Sequence, residues 1–133
     1  MRVVLRAARA CALATVLNAV LGLIVVPPDG ARAAGALAIG QCAAYGYAYD
    51  YPRLADARTA ALKKCNGSSC KVVATIHRGC VAFAIDGRNA CGPHGYAVAP
   101  RLGLAENTAV KYCLDHGGKD CVIRAWACDG SKG

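Results

Sequence analysis

Cys42-Ala43-Ala44-Tyr45-Gly46-Tyr47-Ala48 and Cys91-Gly92-Pro93-His94-Gly95-Tyr96-Ala97 are two versions of one pattern, Cys-x-x-x-Gly-Tyr-Ala, and their recurrence decides how the chain is read. Downstream of each copy the likeness continues. Pro52-Arg53-Leu54 answers to Pro100-Arg101-Leu102, and Ala57, Ala61, Lys63 and Cys65 answer to Ala105, Ala109, Lys111 and Cys113. Cys70 and Cys80 then correspond in order to Cys121 and Cys128. The pattern predicts a single duplicated domain over 42–128, with one repeat at 42–90 and the other at 91–128. Residues 34–41 read as a mobile N-terminal arm and 129–133 as a C-terminal tail.

Within a repeat, residue periodicity sets the elements. Tyr45, Tyr47, Tyr49 and Tyr51 alternate with Ala44, Gly46, Ala48 and Asp50, which is the period of a strand. A proline then opens an Ala-rich helix, over 53–65 in the first copy and 101–114 in the second. Its small residues at helical spacing (Ala57, Ala61, Cys65) would let it lie close to a sheet. Asn66-Gly67 and Gly117-Gly118 supply the helix stops. Strands follow at 71–77 and 122–126, with a further strand at 81–85 ending in Asp86-Gly87-Arg88-Asn89. The predicted class is α+β: two repeated strand-helix-strand units forming a small, mainly antiparallel sheet with two helices, stapled by disulfides.

Outside the repeats, Arg2, Arg6 and Arg9 precede an apolar run over 10–26, then Pro27-Pro28 and Ala31-Arg32-Ala33. A basic start, an apolar stretch too short and too interrupted to be an anchor, and small residues before the cut predict a signal peptide over 1–33, cleaved after Ala33. Removing it takes four arginines and one aspartate from the totals of 16 basic and 8 acidic residues, so the net charge falls from +8 to +5. No basic block beyond Lys63-Lys64 concentrates that charge, and no specific nucleic-acid partner is expected. Export places the chain in the periplasm or outside the cell, with no transmembrane span after cleavage.

Nine cysteines become eight once Cys11 leaves with the leader, an even number that reads as four disulfides in an oxidising compartment. Zinc would draw on His77, His94 and His116, but no CxxC pair is present, so neither metal nor other cofactor is expected. Cys65–Cys70 and Cys113–Cys121 would each tie the end of a helix to the next strand. The other four cysteines admit pairing within repeats (42 with 80, 91 with 128), crosswise pairing (42 with 128, 80 with 91), or pairing of equivalent positions. The last, Cys42–Cys91 and Cys80–Cys128, is preferred because bridges between halves would fix two small cores against each other.

The Tyr-Gly-Tyr-Ala stretch, the helix ending in Cys65, Cys70-Lys71-Val72-Val73, Cys80-Val81-Ala82-Phe83-Ala84, and their echoes Gly95-Tyr96-Ala97, Cys113 and Trp126-Ala127-Cys128 resemble the bacterial family known as domain of unknown function 4189. The resemblance covers about 42–128. It implies a small exported bacterial protein with a duplicated, Cys-stapled domain and an envelope- or host-facing role, and it supplies no catalytic residues.

Chemistry is sparse in the residues themselves. Ser68, Ser69 and Ser131 are the serines left after cleavage, without a Gly-x-Ser-x-Gly elbow, and the carboxylates fall at turns and helix surfaces. His94 reads as a turn residue and His116 as a residue near a helix C-terminus. The tyrosine row 45/47/49/51 has two readings: one face of a packed sheet, or a platform for a ligand. The expected function is a non-enzymatic, exported, disulfide-stabilised binding module whose partner is an envelope or extracellular protein or glycan. A secreted effector directed at a host or competitor, or its neutralising partner, is the second reading; a small hydrolase is the third.

Overall fold

The computed structural model describes residues 33–130. The expected leader up to Arg32, and residues 131–133, lie outside them. Among the described residues the order is β1 (Ala34–Ile39), a 3₁₀ turn (Gln41–Ala43), β2 (Tyr45–Tyr51), α1 (Leu54–Lys64), β3 (Lys71–Ile76), β4 (Gly79–Asp86), β5 (His94–Ala99), α2 (Leu102–Asp115) and β6 (Cys121–Asp129). The strands form two antiparallel three-stranded sheets, β2-β1-β3 and β5-β4-β6. No helix among the described residues is long and apolar enough to cross a membrane.

Four layers result. The inner faces of the sheets meet in a core of Leu37, Ile39, Ile76, Val81, Phe83 and Ile85. On the outer face of the first sheet α1 lays Ala57 and Ala61 on Ala36, Ala38 and Ala48, and on the second α2 lays Ala105 and Ala109 on Ala82, Ala84 and Ala97. Large residues point inward and alanines outward along β1 and β4, because a helix can approach a sheet closely only over small side chains. Phe83, Leu37, Ile76 and Val81 are each less than 2% exposed, and full burial of such a side chain contributes about 1.5–3 kcal/mol.

The architecture moves the repeat boundary. β1 is the central strand of the first sheet and fully buried, so residues 34–39 are not an arm. Its counterpart is β4, which pairs with β5 and β6 and belongs to the second unit although the recurrence of Cys-x-x-x-Gly-Tyr-Ala assigns it to the first repeat. The true units run β1-β2-α1-β3 and β4-β5-α2-β6. The expected tail also begins too early, since Asp129 closes β6 and is buried. Pro52 and Pro100 stand just before the N-caps Arg53 and Arg101 rather than inside the first turns, where they end the preceding strands. Of the expected helix stops Gly117 takes positive φ (97°), whereas α1 ends as Cys65 turns to extended backbone (φ −79°, ψ 102°).

Candidate functional site

β2 and β6 are the edge strands that face each other across one side of the sandwich. β2 is regular as far as Ala48, so Tyr45, Tyr47 and Tyr49 share a face. Their rings lie parallel, with centroids 6.2 Å apart between neighbours and interplanar angles of 2° and 20°. Asp50 then takes φ 58° and adds an extra residue against β1, between the pairs Ala48↔Ala36 and Tyr51↔Ala34. The bulge turns Tyr51 to the α1 side, where it packs with the Ala36–Ala57 cluster. The structure therefore brings three of the four tyrosines together and removes Tyr51 from the row.

The opposite wall is built by a second bulge. Between Phe83↔Ala125 and Ala84↔Ile123, Arg124 is the unpaired extra residue of β6, and its guanidinium sits over the Tyr45 ring at 5.4 Å from the centroid. Lys64, at the end of α1, places its ammonium 5.9 Å from the Tyr47 ring. Trp126 stands on the same wall, 52% exposed, and Tyr49 on the first wall is 48% exposed. Glu106 of α2 borders the groove, whose volume is about 700 Å³. Periodicity signals the tyrosines; Arg124, Trp126 and Lys64 escape it, because their convergence depends on a bulge and on strands distant in sequence.

Beyond Tyr49 and Cys128 the two strands are joined by a reciprocal pair of hydrogen bonds. The Asp50 amide donates to Asp129 Oδ1 (2.8 Å), and the Gly130 amide donates to Asp50 Oδ1 (3.1 Å), which ties β2 to the end of β6.

The eight cysteines from Cys42 onward form Cys42–Cys91, Cys65–Cys70, Cys80–Cys128 and Cys113–Cys121. Cys65–Cys70 and Cys113–Cys121 link each helix end to the strand after it. Cys42–Cys91 crosses between the units, whereas Cys80 and Cys128 are direct partners in the β4–β6 ladder. The idea that both long-range bridges join the halves is corrected accordingly: one does, and the other staples strands of one sheet. His94 is a strand residue, not a turn residue; its ring meets Phe83 edge-on at 5.9 Å, and its carbonyl accepts a bond from His116 Nδ1 (2.8 Å). Among the described residues no three His, Cys, Asp or Glu side chains gather as a metal-binding group. Asp86 accepts the amides of Arg88 (3.0 Å) and Lys119 (3.1 Å), and these bonds hold its carboxyl below the usual carboxylate range.

The model of the family described as Domain of unknown function (DUF4189) matches residues 34–128, a span that begins on β1. The NMR structure of Rv1813c from Mycobacterium tuberculosis is similar at 25% identity and a TM-score of 0.54, over 96% of this chain and 99% of that one. No curated protein matches.

Proposed function

The chain belongs to the DUF4189 family, and from that premise we propose a non-enzymatic binding module, acting after export in the periplasm or outside the cell, whose groove between β2 and β6 takes an acidic glycan. The location is supported by four disulfides, which persist in oxidising compartments. The ligand class is supported by parallel aromatic rings beside Arg124 and Lys64. Ring faces pack against the apolar face of a sugar, and cations favour its carboxylates.

The observation that carries the reading is that this surface occurs in one unit only. By the repeat, Tyr45, Tyr47 and Tyr49 correspond to His94, Tyr96 and Val98. The bulge recurs as well, since Val73 is the extra residue of β3 between Leu37↔Ala74 and Ala38↔Val72. Val73 thus stands where Arg124 stands, and Thr75 where Trp126 does. A feature required for folding this unit would be needed twice. The packing reading explains the inner part of the row, where Tyr45 lies against Phe83 at 6.3 Å, but not the exposed Tyr49 and Trp126.

Trp126 is the chain's one tryptophan and reports on the groove directly. Titration with uronic-acid oligosaccharides should change its emission, whereas neutral oligosaccharides of equal length should not. Tyr49→Ala should weaken binding by about 1 kcal/mol, and Arg124→Gln should lower its salt dependence. Emission indifferent to both sugar series would end the glycan reading and return the groove to a protein partner.

A further inference from the structure

Asp129 is 0% exposed, and only one of its oxygens is used: Oδ1 accepts the Asp50 amide, while Oδ2 has no hydrogen-bond partner. A buried carboxylate with a bare oxygen is costly, and native folds normally supply it with a donor. The neighbouring carboxyl, Asp50, is a second anion engaged with the Gly130 amide. Arg78 runs past Gly130, 3.8 Å from where a Cβ would stand there, yet no ion pair joins it to Asp129 among the described residues. The start of β1 reaches the same end of the sandwich. Ala34 pairs with Tyr51, the residue after Asp50, and the Ala33 methyl lies 3.4 Å from the same Cβ position of Gly130.

We infer that Asp129 is a receptor for a primary ammonium, the α-amino group of Ala34 released when the chain is cut after Ala33. In the uncut chain this nitrogen is a neutral amide with a single hydrogen. An export protease hydrolyses the Ala33–Ala34 bond: the C–N bond breaks, water gives its hydroxyl to the Ala33 acyl carbon and a proton to the nitrogen, and the amine takes a second proton from solvent. The product is a cation with three donors, held by the β1–β2 ladder beside two carboxylates. Processing thereby completes the fold, and the strand that the repeat pattern mistakes for an arm carries the group that completes it. The titratable or charged groups around this end are Asp129 on β6, Asp50 and Tyr51 on β2, and His77 and Arg78 between β3 and β4.

The test uses exported, oxidised protein whose N-terminus is read by mass spectrometry. The Ala34 α-amine, followed by ¹⁵N resonance, should titrate above the usual value of about 8. Because its folded pKa is raised, the stabilisation should be complete below that value and vanish as pH rises through the folded one. Selective acetylation of the α-amine should lower the melting temperature of the parent and leave Asp129→Asn unmoved. An α-amine titrating at its ordinary value, equal losses on acetylation in parent and variant, or a mature N-terminus other than Ala34 would each overturn the inference. The amine titration is made on the parent alone, so a variant that fails to fold does not blunt it, and none of these readings involves the groove.

Discussion

A methyl group on Gly46 would stand 2.2 Å from the Ala61 carbonyl oxygen and 2.5 Å from the Cys65 amide nitrogen; on Gly95 it would stand 2.3 Å from Ala109 and 2.5 Å from Cys113 in the same way. Both glycines of the repeated Gly-Tyr-Ala therefore mark where the helix backbone rests on the sheet, and backbone cannot swing aside as a side chain can. Gly46→Ala and Gly95→Ala should each destabilise by about 3 kcal/mol, as overpacking does. Gly103 in α2 has nothing within 4 Å, and Gly103→Ala should stabilise by about 0.5 kcal/mol; denaturation midpoints decide both signs. Asp86 is read by pH. Its carboxyl is held low by two amides, so its contribution is present above the unfolded value of about 3.9 and is lost as pH falls through the lower folded one. Asp86→Asn should be less stable than the parent at pH 6 and equal to it in strong acid. At this scale the glycines were legible as a motif, but the reason for them lay in backbone contacts that no side-chain pattern records.

Elements with one wet face are legible in the sequence, because alternation and helical spacing report the difference between two faces. β2, β3 and both helices fall within a residue or two of their expected limits. β1 escapes the pattern because Ala34-Gly35-Ala36-Leu37-Ala38-Ile39 has no polar face and, unlike the equally buried β4 with its Val81, Phe83 and Ile85, is built largely of small residues that resemble a linker after the leader. The bulges at Asp50 and Arg124 were equally hidden, and with them the departure of Tyr51 from the row and the arrival of Arg124 beside it. Leu37 measures the consequence. It is 1% exposed in the inter-sheet core, so Leu37→Ala should cost about 2–5 kcal/mol in chemical denaturation. A residue of a mobile arm would change stability by no more than about 0.5 kcal/mol.

For the whole molecule, the duplication was legible but its phase was not. Counting from Cys42 cuts the chain inside a unit, since the recurring landmarks begin one strand after the unit does. With the phase corrected, the two long-range bridges do different work although they close loops of nearly equal length, 49 and 48 residues, each worth about 4 kcal/mol on the chain-entropy account. Cys80 and Cys128 already face each other in the β4–β6 ladder, so their bridge reinforces a pairing that eight backbone register partners make. Cys42, in the 3₁₀ turn of the first unit, and Cys91, before β5 of the second, lie on different sheets' connections. Their bridge is the disulfide between units; without it the shared core, the β2–β6 hydrogen bonds at Asp50 and Asp129 and the β3–β4 connection hold the sheets together. Replacing Cys42 and Cys91 by Ala should therefore speed hydrogen exchange on both β1 and β4, whose inner faces meet in that core. Replacing Cys80 and Cys128 should confine the loss to β4 and β6. Non-reduced peptide mapping comes first: Cys42 found with Cys80, or exchange rising equally in both double variants, would remove the distinction between a bridge that joins units and one that staples strands.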